Sequence, residues 1–245
     1  MIPHGPGEAS ATSGQLAHLR LLHLADSALP IGSLAHSFGL ETLVARGTLE
    51  VRNLPDFLHG YLQEAGGAEA VFCRAAFRLA HTERVFPRED WIALNARLSA
   101  LKPAREARAA SVTLGENFLR CVLAMGDSSS LREALEAAQA RPGAFAEVHH
   151  STAFGLAAGA LGFEEDASAL AFLHQQTAGL VSACQRLLPL GQTAAARILW
   201  NLKPVMLEIA ARSAACNVDD ICCFTPLLDW GAMEHPALST RLFVS

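Results

Sequence analysis

Apolar residues recur along this chain at three- and four-residue intervals. Trp91, Leu94, Leu98 and Leu101 form one such stripe, and Leu114, Phe118, Cys121 and Met125 form another. The longest is Leu170, Leu173, Thr177, Leu180, Cys184 and Leu187. This spacing places each set on one face of an α-helix, turned toward a core. Alternating apolar and polar runs are scarce. Leu and Ala greatly outnumber Val and Ile, which favours helix over strand on intrinsic propensity.

Breaks between stripes set the element boundaries. Pro30 and Gly32 interrupt the first apolar pattern. Ser33 is expected to cap a following helix, on which Ala35 and Gly39 share one face and admit another backbone. Asn53 and Pro55 open a helix that Gly66-Gly67 interrupts. Pro87 starts another and Lys102-Pro103 ends it. Arg141-Pro142-Gly143 reads as a turn, Thr193 as a cap after the Pro189–Gln192 break, and Pro204 as a helix start. The pattern predicts an all-α, single-domain bundle of about ten helices with short loops and a largely irregular C-terminal tail. Residues 1–15, rich in Gly, Pro, Ser and Ala, are expected to be a disordered leader, 16–224 the helical domain and 225–245 the tail. That tail is apolar yet poor in helix signals, so it is expected to order only when docked on something.

Composition narrows the function. Of 245 residues, 51% are hydrophobic and 18% charged, with a net charge of −5; mean hydropathy is +0.25. Such an apolar excess fills a core and covers surface that a partner buries. No Lys/Arg stripe is present, which argues against nucleic acid. Residues 167–185 carry no formal charge, but His174, Gln175, Gln176 and Gln185 make them a buried helix rather than a membrane span. Six cysteines include no C-x-x-C pair, and no secretory signal precedes them. They are expected to be reduced, mostly buried and cytoplasmic.

Chemistry-bearing motifs are few. There is no phosphate-binding loop, and Gly155, Gly159 and Gly162 read as close helix packing. His149 and His150 are adjacent and diverge on a helix, so they are poor partners for one metal ion. Arg105-Glu106-Ala107-Arg108 reads as a charged face with ordinary surface pairing. The sharpest catalytic alternative is a serine hydrolase: Ala35-His36-Ser37-Phe38-Gly39 resembles a nucleophile elbow, with Asp229 and His235 following in triad order. Pro30 and Gly32 stand where that elbow needs a strand.

Five segments, in order, resemble the urease accessory protein F (UreF) family. Leu29 to Glu41 resembles its L-P-x-G-G-[FY]-x-x-S-x-G-L-E signature, and Ala104 to Leu119 its central helix. His150 to Gly162 resembles the H-x-x-A-x-G helix, and Leu180 to Leu199 the L-V-x-A-x-x-R-x-x-P-L-G-Q block. Asp220 to Ser245 resembles the closing T-P-x-L-D-x-x-x-M-x-H-x-x-L-x-S-R-L-F-x-S tail. Departures fall at Ser33, Leu34, Pro236, Ser239, Thr240 and Val244.

The resemblance implies an all-α, non-catalytic, cytoplasmic chaperone that forms homodimers. It implies binding to UreD (UreH in some lineages) and to the GTPase UreG, and GTP-dependent nickel insertion into apo-urease through that complex. No cofactor is implied for this chain; nickel is handled by the complex. Carried over residue by residue, Gly32, His36, Ser37, Gly39 and Glu41 form an N-terminal packing and interface element, and Gly191 and Gln192 an interhelical loop. Thr225, Pro226, Leu227, Asp229, Met233, His235, Arg241, Leu242, Phe243 and Ser245 form the partner-docking tail, with His235 a hydrogen bonder at the interface. Arg241 supplies a polar contact, and Leu242 and Phe243 apolar anchors.

Overall fold

The computed structural model describes residues 6–81, 85–139 and 147–245, with side chains from Gly14 and not for Gln139. The turn expected at Arg141-Pro142-Gly143 and residues 1–5 of the expected leader lie outside these. Twelve α-helical segments and no strand occur among the described residues. They are α1 (Pro6–Leu24), α2 (Leu40–Ala45), α3 (Leu54–Tyr61), α4 (Gly67–Leu79), α5 (Arg88–Ala100), α6 (Arg105–Met125) and α7 (Ser129–Gln139). Then follow α8 (His150–Ala160), α9 (Glu165–Leu187), α10 (Gln192–Asn201), α11 (Lys203–Ala215) and α12 (Pro226–Glu234). The all-α architecture is the one its apolar periodicity predicts. Helix α1 takes in residues 6–15 of the expected leader. Its Leu21 and Leu24 tie it to the core.

Two apolar cores share the central helices. One gathers Phe72, Phe77, Trp91, Phe118, Phe154 and Phe172 from α4, α5, α6, α8 and α9. The other gathers Leu40, Leu43, Leu54, Leu58, Leu180, Ile209 and Phe243, the last from the tail. Glycine sets the closest approach between α4 and α8. A Cβ on Gly155 would lie 1.9 Å from the Cys73 carbonyl oxygen, and one on Gly159 2.5 Å from that of Phe77. Gly162 instead ends α8: at φ 71° it lets Phe163 N donate to Ala158 O and its own N–H to Gly159 O.

Other boundaries depart from the local reading. Gly66-Gly67 does not interrupt the helix; a π-turn over Leu62–Gly66 carries α3 into α4. Glycine costs a helix only about 1 kcal/mol relative to alanine, and Leu58, Leu62, Ala70 and Phe72 bury on both sides of the junction. Thr193 lies inside α10, whose N-cap is Gly191. Asn53 is an N-cap by position, but its side chain accepts from Glu50 N and donates to Thr48 O. Of the six cysteines, Cys73 and Cys184 are buried while Cys216 and Cys222 are exposed. No described helix is long and apolar enough to cross a membrane.

Several buried polar groups are paired between helices. Arg74, 3% exposed, ties α4 to α9 and α11 through Glu165 (3.0 Å), Asp166 (2.7 Å), Ser213 Oγ (2.9 Å) and Ala210 O (2.9 Å). His149 meets Ser111 Oγ at 3.0 Å and Ser99 Oγ at 2.8 Å. Burial, aided by the Lys102 charge, holds its imidazole down at about 3. His150 turns away, packed edge-on between Phe118 and Phe172. The pair diverges as its adjacency predicts.

Candidate functional site

The N-terminal signature and the C-terminal tail, about two hundred residues apart in sequence, fold into one clasp. Gly32 at φ 88° starts a single 3-10 turn, Ser33–Ala35. Ser33 is therefore the first residue of that turn and not a helix cap, and Ala35 and Gly39 do not share one helix. Pro30 and the left-handed Gly32 favour a tight turn over an α-helical start. His36 is extended, then Phe38 (φ 53°) and Gly39 (φ 90°) reverse the chain into α2. The close approach expected at Gly39 is present, with α12 as the partner. A Cβ there would lie 2.7 Å from Ala232 N and 2.9 Å from Leu228 O. Gly231 reciprocates, its Cβ position 2.7 Å from Gly39 O.

Glu41 is the centre of the clasp. Its Oε1 accepts from Leu242 N (2.6 Å), and its Oε2 from Phe243 N (3.0 Å) and His235 Nε2 (2.9 Å). Burial pushes this carboxyl up, but the Leu242 amide, His235 and the Phe243 amide outweigh it and hold the group below the usual carboxylate range. His235 Nδ1 lies 2.8 Å from Glu106 Oε2, and Arg241 Nη1 lies 3.6 Å from Glu106 Oε1. At the chain end Ser37 N donates to Ser245 O (2.5 Å) and Val244 N to Ala35 O (2.9 Å). His36 Nδ1 meets Ser245 Oγ at 2.8 Å. From α9, Arg186 donates to Leu34 O at 2.6 Å and lies 4.2 Å over the Phe243 ring.

Most residues singled out in the sequence meet here, in roles that differ in part from those assigned. His235 is fully buried, so its hydrogen bonds are internal. Phe243 anchors the tail to its own body, whereas Leu242 is exposed. The tail is ordered as α12, one 3-10 turn (His235–Ala237) and an extended end, docked on its own chain. Thr225 precedes Pro226 at the start of α12 and donates to Asp229 Oδ2 at 3.2 Å. Leu227 and Met233 are exposed on the same helix. Gly191 and Gln192 stand apart: Gln192 Oε1 accepts from Gln185, outside the clasp.

Three participants were not legible as such. Glu106 is a pillar of the clasp, not half of a surface pair, because the tail covers it. Arg186 lies within the L-V-x-A-x-x-R block but carries no local sign of its partner. Phe38 holds a positive φ that a non-glycine residue rarely adopts.

The geometry does not assemble a serine hydrolase. Ser37 is fully buried, and its Oγ accepts from Glu41 N at 3.4 Å. His235 is occupied at both nitrogens by carboxylates, and Asp229 pairs with Thr225. A nucleophile needs a base within hydrogen-bond reach, and Ser37 has none among the described residues. No described group of three or more His, Cys, Asp or Glu is placed to hold a metal ion.

Behind the clasp lies a cavity of about 130 Å³, bounded by His36 and Phe38 on one side and Asp229 and Ala232 of α12 on another. His150, Gln175 and Gln176 also line it. His150 Nε2 and the two glutamine Oε1 atoms have no protein partner there. Gln175 is oriented by its amide, which donates to Leu24 O at 2.9 Å. A cavity with such a lining suits ordered water.

Comparison with known proteins places this arrangement among relatives. Residues 50–203 match the UreF family. The chain is 31% identical to a urease accessory protein UreF of Bradyrhizobium sp. (strain BTAi1 / ATCC BAA-1182), over 96% of each chain. It is 32% identical to one from Rhodopseudomonas palustris (strain BisB5), over 99% of this chain and 98% of the relative. A third, from Corynebacterium glutamicum (strain R), is 31% identical over 94% and 98%. The Rhodopseudomonas palustris match, over 99% of this chain, takes in both halves of the clasp, which lie outside residues 50–203.

Proposed function

This chain belongs to the UreF family, and from that premise we propose that it is a non-catalytic assembly factor for urease. It bridges a UreD/UreH-type accessory protein and the GTPase UreG, and promotes GTP-dependent insertion of nickel into apo-urease. It works in the cytoplasm as a homodimer and holds no cofactor of its own; nickel is cargo of the complex. A protein-lined nickel path, which the family resemblance implies, would run through the cavity behind α12.

One observation carries the bridging role. The docked tail turns apolar side chains outward: Leu227, Trp230 and Met233 on α12, and Leu242 and Val244 beyond it, are 40–66% exposed. Their backbone is fixed by Glu41, His235 and Gly39, so this surface is already organised before any partner arrives. Preorganised apolar surface of this kind is what a partner buries at low entropic cost. Scattered apolar side chains are ordinary; a cluster held on a purpose-built clasp is not.

Capture by a UreD/UreH-type protein from the same genome tests the proposal. The full chain is expected to be retained. A double variant, Leu227→Glu with Met233→Glu, is expected to lose capture at least tenfold while keeping its unfolding midpoint, because both side chains are exposed. Full capture by that variant removes the tail surface from the interface. No capture by the native chain overturns the bridging role.

A further inference from the structure

The cavity behind the clasp joins a mostly apolar wall to a small set of open polar groups. At about 130 Å³ it has room for several waters or for one small organic molecule. Leu98, Ala104, Leu114 and Leu180 are among its apolar lining. The polar groups without a partner gather at one end. His150 packs against Phe172, with ring centres 5.5 Å apart. Gln175 and Gln176 follow Phe172 on α9 by three and four residues, the spacing of neighbours on one helix face. His150 Nε2, Gln175 Oε1 and Gln176 Oε1 are all buried and unpartnered.

These groups define what the cavity recognises. The Gln175 amide nitrogen is engaged by the carbonyls of Leu24 (2.9 Å) and Asp26 (3.5 Å), which leaves its oxygen to accept. Amide oxygens only accept, so a complementary molecule brings N–H donors. His150 is neutral, because burial holds its imidazole down at about 4. Its open nitrogen is then a single donor or a single acceptor, set by the tautomer. The ionised side chains in the wall already have partners: Glu69 pairs with Lys102, and Asp229 accepts from Thr225 at 3.2 Å. No unpaired charge among the described lining residues is left to offset the desolvation of a charged ligand.

A primary amide is complementary to all three open groups. Its NH2 has two protons for the two glutamine oxygens, and its carbonyl accepts from His150 Nε2. A short apolar body suits the rest of the wall, where water is poorly held. We propose that this cavity is a binding site for a small primary amide, recognised by His150, Gln175 and Gln176. The site needs neither metal nor partner chain, so it stands apart from the bridging role and from any nickel path.

The test uses the full chain alone, in a metal chelator, with nitrogen-labelled glutamine so that NMR follows the side-chain amides of Gln175 and Gln176. Isobutyramide is titrated beside N,N-dimethylacetamide, an isomer of the same formula with no N–H. Isobutyramide is expected to shift both signals saturably, with a Kd on the order of 1 mM. The isomer is expected to bind at least about tenfold more weakly, because it leaves the amide oxygens unpartnered. Gln176→Met keeps the volume and removes one acceptor, and is expected to weaken isobutyramide about tenfold, read at Gln175. Should that variant not fold, His150→Phe, which retains the ring packing, serves with the same expectation. Urea is a second source of the same head group. Saturation by urea as well assigns recognition to the head group alone, and saturation by isobutyramide alone gives the apolar wall a share; both support the site. Saturation by ammonium chloride and by neither amide overturns it, as does equal binding of the two isomers or an unchanged affinity in the variants. No saturation by any of them, the result for a cavity that takes only water, overturns it too.

Discussion

Gly39→Ala is the most discriminating single change in this structure. It has two costs, and the molecule supplies a control that separates them. Gly39 sits at φ 90°, where an L side chain is strained by about 1–2 kcal/mol. Its new Cβ would also stand 2.7 Å from Ala232 N and 2.9 Å from Leu228 O, both backbone atoms of α12. Ordinary contact begins near 3.4 Å, so α12 must retreat by 3.4 − 2.7, or about 0.7 Å. That helix leads directly into His235, whose hydrogen bonds to Glu41 and Glu106 are already near optimal length. Overpacking of this kind costs a further 1–3 kcal/mol or so. The control is Gly32→Ala, at φ 88° with nothing within 4 Å of the added atom. It should lose only the strain. Urea unfolding of the two variants beside the native chain reads the difference: about 1–2 kcal/mol for Gly32→Ala and about 2–5 for Gly39→Ala. Equal losses in the two would mean that α12 does not press on the signature turn, and the clasp as described would fail.

Further outcomes follow from other contacts. Gly155→Ala drives a Cβ to within 1.9 Å of the Cys73 carbonyl; a loss above about 4 kcal/mol, or no folded protein by circular dichroism, is expected. Gly179→Ala, inside α9 with open space around it, should instead stabilise by up to about 1 kcal/mol in the same assay. Acid titration should destabilise the fold before the carboxylates respond. Burial holds His149 at about 3, so unfolded chains bind its proton first. Stability is full above the ordinary histidine range, and the His149 share of its fall is on the order of 2 kcal/mol by about pH 5; His149→Gln should remove that share in pH-dependent urea melts and leave the one that comes from His150, which burial holds at about 4. Arg186→Ala removes the bond to Leu34 O and the stack on Phe243, and should raise cleavage of the chain end by carboxypeptidase while costing about 1–3 kcal/mol.

The helices were legible because their signal is local. The 3,4 spacing of Leu170 through Leu187 places Leu173, Thr177, Leu180 and Cys184 in the core of α9, as a helical stripe must. Pro204 marks the start of α11 for the same reason: a residue that cannot donate belongs in a first turn. Misreadings occurred where a distant contact overrules a local rule. Gly66-Gly67 costs little beside the leucines that bury around it, so the helix runs on through a π-turn. Ser33 has the chemistry of a cap, but the turn it enters is too short to present the free amides that a cap satisfies. Likewise Glu106, between two arginines, has every mark of a solvated pair until the tail arrives on top of it.

The site was harder to read than the fold, and the reason lies in how the tail is built. Periodicity reports which side of an element faces a core, and it assumes that the apolar side does. Here much of the order is reversed. Glu41, His235 and Glu106 face inward and hold the tail by charge and hydrogen bonds, while Leu227, Trp230, Met233 and Leu242 face out. Only Leu228, Ala232 and Phe243 give the tail an apolar grip. A strap secured this way gains less from burial than an apolar one and carries the desolvation of three ionisable groups. Its attachment is therefore specific in geometry and modest in free energy, the combination that lets a partner shift it. An apolar-inward tail of the same length would bind its own body more firmly, and would leave nothing outside for another protein to cover.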